Sequence, residues 1–385
     1  MKKFATFALI VITTILSTLS FVGCGYYKVF ITNNDLRDSS EDVATREIVD
    51  KDSELYFLTK VNVDAKQVEK PTSKAATASA NYIEFGSYPQ TEVKDSALVS
   101  ALKTQAGTLP TASNSQRWTN YGYYLSGSSA AYMWYIDLSY NGGKYRGVYF
   151  TSYRPYNTAA DSNVNSSFQD DNGYDTEKTY WFKFEPIKWR VLSQSGSEAL
   201  ILCESIIDSQ EYYSEDKSAS FSHNGGTGYA NNYALSNIRK WLNNAFYNAA
   251  FSDTEKKSVL ATTVNNNARN SSDSGNALTQ ATTYYCSNTS DNVFLLSEQE
   301  VTTATYGFAA DYTVEDDLRC KIITDYAKSQ GAWPSINYGF WWLRSPSYDK
   351  SRSARNVFFS GSVNSHADVY ATDYGVVPAM RIKLS

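Results

Sequence analysis

The chain has 385 residues and a formal net charge of −5; 15% of it is aromatic, with 31 Tyr, 18 Phe and 8 Trp, and only 19% is charged. The acidic balance speaks against nucleic acid as a partner, since a polyanion demands a basic face. Two histidines in the whole chain leave little material for imidazole catalysis, whereas Tyr combined with Ser, Asn and Gly suits adaptable recognition surfaces and exposed β-sheet alike.

The N-terminus, MKKFATFALIVITTILSTLSFVGCG, places Lys2 and Lys3 before an apolar run that reaches Phe21, then small residues up to Cys24. That order of charge, apolar run and small residues is that of a secretory signal. The tripeptide Phe21-Val22-Gly23 before Cys24 resembles the lipobox of bacterial lipoproteins, although Leu is usual where Phe21 stands. The resemblance implies removal of residues 1–23, acylation of Cys24 (with palmitate among the lipids), and an extracytoplasmic chain anchored by lipid to a bacterial membrane or cell surface. A plain secretory signal and a membrane anchor are the alternatives, because the run approaches the ~20 residues that span a bilayer. No later segment is as long and apolar. Residues 24–80 read as a tether, charged in TNNDLRDSSEDVATREIVDKDSE and small and polar in KPTSKAATASAN, compositions that build no core. A short strand or helix is expected around Leu55 to Val63.

From residue 81 the texture changes to that of a folded domain running to the end of the chain, 81–385. YIEFGSYPQTEV alternates apolar and polar residues as a strand does. AYMWYIDLSYNGGKYRGVYFTSYRPY reads as a hairpin turning at Asn141-Gly142-Gly143, where Asn-Gly favours positive φ. YWFKFEPIKWRVLSQSGSEALILCESIID gives two more strands around a Ser-Gly-Ser turn, with Cys203 as a small buried hydrophobe. LSNIRKWLNNAFYNAAF carries Leu235, Ile238, Leu242, Ala245 and Ala249 at helical spacing. Ser252 with Glu255, and Ser297 with Glu300, have the spacing of capping boxes. Residues 262–285 read as a long polar loop, and the tail from Arg355 as three strands joined by turns. The expected fold class is α+β, with antiparallel sheets, two or more helices and long loops. A Cys286–Cys320 disulfide is left open, and no Cys-x-x-Cys offers the commonest zinc pattern.

Seven blocks occur in order: FGSYPQTEV, KYRGVYFTSYRP, YWFKFEPIKWRVL, IRKWLNNAFYNAAFS, VFLLSEQEV, WWLRSPS and YGVVPAMRIKL. Together they resemble an uncharacterised family of bacterial surface proteins marked by a Trp-Trp-Leu-Arg-Ser-Pro block and a C-terminal Gly-Val-Arg-Pro-Ala block. The likeness covers roughly residues 82–385 and departs at Val377, where the family has Arg. A more distant likeness is to the C-type-lectin-like fold, in the branch of formylglycine-generating enzymes and retroelement variable proteins, with LLSEQE standing for its strand-and-acidic-helix block. This implies a lectin-like mixed fold, and function is not carried over with a fold. The copper-holding cysteines near the C-terminus of formylglycine-generating enzymes have no counterpart here, since the last cysteine is Cys320.

The stretch GFWWLRSPSYD concentrates the candidate site. On a strand, Trp341 and Leu343 face one way and Trp342 and Arg344 the other. One expectation is fastening: a Trp in the core, with Arg344 paired to a buried carboxylate such as Glu298 or Glu300. The other is a ligand floor made by Trp342 and Arg344, extended by Tyr348, Arg352, Asn364, His366, Asp368 and Tyr370 in the polar segment that follows; that segment also reads as solvated loop. No Gly-x-Ser-x-Gly is present and no His-x-x-x-His, while paired catalytic carboxylates leave no local signature. Calcium has candidate oxygens at 315–317 and 169–175 without EF-hand spacing, so no cofactor is expected and surface acidic loops are the preferred reading. The combined expectation is a surface lipoprotein with an extracytoplasmic domain that binds a glycan, a wall polymer or a protein. The alternatives are an extracytoplasmic hydrolase acting on wall or carbohydrate material, and a structural role in a surface layer.

Overall fold

A computed structural model describes residues 45–49, 55–59, 82–122, 133–156, 168–214, 220–224, 226–266, 270–272, 275–279, 284, 286–333, 337–348 and 350–384. The chain divides into two compact units, Met1–Ala76 and Thr77–Ser385. In the first, Thr45–Val49 and Leu55–Thr59 form an antiparallel hairpin; the signal and Cys24 lie outside the described residues. Among the described residues no helix is long and apolar enough to cross a membrane.

The second unit is α+β. Its principal strands, in chain order, are β1 (Tyr82–Glu92), β2 (Thr119–Asn120), β3 (Met133–Tyr140), β4 (Gly143–Phe150), β5 (Thr179–Ser195), β6 (Glu198–Cys203), β7 (Asp208–Ser209), β8 (Val259–Leu260), β9 (Trp341–Pro346), β10 (Ser353–Val357), β11 (Val363–Asp368), β12 (Gly375–Val376) and β13 (Ala379–Lys383). Its helices are α1 (Ser96–Ala106), α2 (Asn237–Trp241, continued through Leu242–Phe246 and Tyr247–Ala250), α3 (Asp253–Lys256), α4 (Glu298–Val301) and α5 (Asp325–Ser329). The larger sheet has eight strands in the order β8-β13-β6-β5-β4-β3-β2, with β1 paired along β5. The smaller has five, β7-β12-β9-β10-β11, antiparallel except where β9 meets β12.

The turns follow the expected chemistry. β3 and β4 pair from Tyr140 opposite Gly143, and Asn141 and Gly142 both take positive φ, 47° and 77°, the geometry that matches strand twist in a tight hairpin. Both capping boxes form, at Ser252/Glu255 and Ser297/Glu300. On β5, Phe182 and Phe184 are buried, Phe182 in the main core, while Trp181 on the opposite face joins Trp118, Trp134, Leu102 and Ala106 in a smaller cluster under α1. The large sheet is thus covered on both faces there. The main core runs on through Trp341, Trp342, Leu343 and Val357 of the smaller sheet.

Two expectations change, and one open point is decided. The apolar stripe of α2 keeps the expected Ile238 and Leu242 and adds Phe246 and Ala250; Ala249 packs half-buried against the core, and Ala245 is exposed. Leu242–Phe246 is a π-turn, and the extra residue per turn moves the buried side to Phe246. The 262–285 loop contains strand Thr262–Val264, paired with Thr289–Asp291, and a short hairpin, Asn270–Ser272 with Gly275–Thr279. The Cys286–Cys320 disulfide is not made: Cys203 and Cys286 are buried free thiols. Burial pushes the Cys203 thiol up to about 12 and the Cys286 thiol up to about 11.

Candidate ligand-binding site

Trp341 and Trp342 are both 0% exposed and Arg344 is 2% exposed. Each indole is hydrogen-bonded: Trp341 Nε1 donates to the Arg319 carbonyl at 2.9 Å and Trp342 Nε1 to the Gln210 carbonyl at 2.8 Å. The Trp342 ring stacks on Tyr374 at 4.5 Å and meets the edge of Tyr212 at 5.5 Å. Arg344 donates to the Leu295 carbonyl at 2.8 Å, to the Asn265 carbonyl at 3.3 Å and to the Glu300 carboxylate. Burial alone would push the Glu300 carboxyl up; the Arg344 charge and hydrogen bond outweigh it and hold the group below the usual carboxylate range. Of the two acids named for Arg344, Glu300 takes it. Glu298 faces Arg355 instead, at 3.2 Å, with both side chains fully buried. These pairs fasten α4 to the smaller sheet, and removing one partner of the fully buried Glu298–Arg355 pair costs about 3–5 kcal/mol.

The other six candidates divide by position. Ser347 N donates to the Ser353 carbonyl at 2.8 Å and Val369 N to the Arg352 carbonyl at 3.0 Å, so the β9–β10 connection and the end of β11 meet at one end of the sheet. Tyr348 stands 41% exposed there, with Arg352 exposed and Asp368 half-buried beside it. Asp368 Oδ1 accepts from Tyr370 N at 3.2 Å. The Tyr370 ring is buried, edge-on to Tyr213. Asn364 lies opposite Asn356 in the β10–β11 register and His366 farther along β11; their side chains lie outside the described residues. The fold therefore gathers Tyr348, Arg352 and Asp368 at the surface and commits Trp342, Arg344 and Tyr370 to the interior.

Residues 197–384 match the family model of a domain of unknown function, DUF6273. No curated protein and no solved structure matches the chain. The DUF6273 stretch runs from the β5–β6 turn to the end of β13, so it holds both Glu–Arg pairs and the sheet-end trio.

A second polar group joins this stretch to the segment before it, and sequence reasoning missed it. Arg154, fully buried, donates to the Ser209 carbonyl at 2.6 Å, to the Gln330 carbonyl at 3.1 Å and to the Glu211 carboxylate. Asp208, also buried, accepts from Tyr88 Oη at 2.7 Å and Gln210 Nε2 at 3.0 Å; burial pushes its carboxyl up against those bonds. Asp373 is the third acid within the reach of Arg154's field, and burial pushes it up to about 7. The available signal was DSQE at 208–211, two acids and an amide just beyond the apolar β6 and Ile206-Ile207.

The acidic runs considered for calcium have other work. Asp316 accepts from Ala309 N at 2.7 Å and Leu318 N at 2.8 Å, bracing its own loop. Gln169 is buried against the Arg154 and Ser329 backbone, and Asp175 pairs with Lys178. Among the described residues, no three His, Cys, Asp or Glu side chains gather as a metal site would require.

Proposed function

We propose that the protein is a lipoprotein held at the outer surface of a bacterial membrane through Cys24, whose lectin-like domain binds an extracellular ligand of glycan, wall-polymer or protein type. The observation that carries the reading is the sheet-end trio: an exposed ring (Tyr348), a cation (Arg352) and a carboxylate (Asp368) at one end of a sheet whose interior side is locked by ion pairs. Recognition residues work best on loops carried by rigid elements. The two-sheet α+β architecture with WWLRSP as a central buried strand supports the lectin-like reading. Hydrolysis stands second, on the buried Asp373 carboxyl with a value near neutrality, as a general acid requires.

The test is the full chain in lipid nanodiscs on an array of glycans and cell-wall polymers, with calcium and with chelator. Binding that falls at least about tenfold in the Tyr348→Ala/Arg352→Ala double variant, at unchanged melting temperature, is expected. Equal binding by the variant, or silence across the array in both conditions, sinks the sheet-end reading; product release from a polymer spot supports hydrolysis.

A further inference from the structure

Close to Arg154, Trp333 and Asp373 each bury a polar atom that finds no partner in the fold. Trp333 is half-buried, with its ring held between Phe168 (5.7 Å, 13° between planes) and Phe340 (4.5 Å, 19°). Both faces of the indole are taken, so nothing further stacks on it. Its Nε1–H is buried and has no partner. Across a backbone hydrogen bond, Trp333 N to the Asp373 carbonyl at 2.9 Å, lies Asp373, 2% exposed, with Oδ1 also unpartnered. Arg154 acts on this carboxyl through space, while its guanidinium donates to the Ser209 and Gln330 carbonyls and to Glu211.

Buried donors and acceptors are almost always paired, and an unpaired one marks a place that a water, an ion or a ligand can complete. Here one donor and one acceptor stand on adjoining residues. A hydroxyl group is the complement: it accepts from the indole N–H and either donates to the ionised Asp373 carboxyl or accepts from the protonated one. An ammonium group has no lone pair for the indole, and a carboxylate or phosphate is repelled by Asp373 whenever that acid is ionised. Asp208, Glu211 and Asp373 face a single Arg154, an acidic surround that disfavours anions further.

We propose that Trp333 Nε1 and Asp373 Oδ1 form a subsite for one hydroxyl of a neutral sugar or polyol, held at the indole edge beside the Arg154–Glu211 pair. This subsite is separate from the sheet-end trio and does not rest on it.

The probes are maltotetraose and the N-acetylglucosamine tetramer, titrated calorimetrically into the full chain in nanodiscs. Trp333→Phe keeps the ring stack and removes only the N–H donor. It is expected to weaken binding about tenfold, the value of one hydrogen bond to an otherwise unpaired group, at unchanged melting temperature. Asp373→Ala is expected to weaken the same sugar by a similar factor. The Tyr348→Ala/Arg352→Ala variant separates the two sites, since loss there with no loss in Trp333→Phe assigns the sugar to the sheet end and overturns the subsite. Absence of binding by both sugars, or equal affinity of wild type and Trp333→Phe, overturns it too and leaves the two atoms to ordered water.

Discussion

Asp373 carries a pH dependence with a definite sign. Its carboxyl, near 3.8 when unfolded, rises to about 7 in the fold because burial penalises the charge. The folded state therefore favours the protonated acid. That contribution is complete below about pH 4 and is lost as the pH rises through the folded value near 7, up to about 4 kcal/mol in all. Asp373→Asn removes the ionisation, so its thermal unfolding midpoint is expected to exceed that of the wild type at pH 8 and to converge with it near pH 4; parallel curves from pH 4 to 8 rule the assignment out. Residue identities of this kind were only partly legible in the sequence. Glu300 announces itself twice, as a capping residue three after Ser297 and as an acid in the block before WWLRSP. Arg154 announces nothing, because its carboxylate partner Glu211 is 57 positions away and separated from it by a strand pair. Ion pairs that close across long stretches have no local spacing to read.

At the scale of elements, α2 shows how packing overrides periodicity. A regular helix through Leu242 places both Ala245 and Phe246, three and four residues on, towards the inner side. The π-turn at Leu242–Phe246 settles it for Phe246, against Tyr88 at 5.2 Å and Phe251 at 5.9 Å, and leaves Ala245 exposed. Burying a phenyl ring in place of a methyl group is worth roughly 2 kcal/mol, enough to offset one irregular turn. Phe246→Ala should accordingly lower stability by about 3–5 kcal/mol in urea unfolding, whereas Ala245→Ser on the exposed side should stay within about 0.5 kcal/mol; similar losses for both would restore the regular helix. The hairpin at Asn141-Gly142 and both capping boxes were readable because backbone sterics and local hydrogen bonds decide them. The short pairs between Thr262 and Asp291 were hidden by a polar composition that suits loop and edge strand alike.

For the whole molecule, the decisive fact is that the stretch matched by the DUF6273 model begins inside a sheet. Residues 197–384 include β6 but leave behind β5, its partner along the register Trp189–Ser195, and with it β1. They also leave behind Arg154 and Tyr88, the partners of Glu211 and Asp208. Residues 197–384 expressed alone are expected to show no cooperative melt and no near-ultraviolet signature of fixed aromatic packing, while Thr77–Ser385, which owns a continuous core, melts in one step. A sharp transition from the shorter piece contradicts this.

The two buried thiols make this test continuous rather than all-or-none. Alkylation needs the thiolate as nucleophile, and neither sulfur ionises readily while it is buried. Cys203 closes β6 in the larger sheet, and Cys286 sits against Asn232 and Ala234 ahead of α2. Each is therefore a timer for its own neighbourhood. The lag before one sulfur or the other is tagged measures how often that part of the fold breathes open, and a single native chain reports which side loosens first.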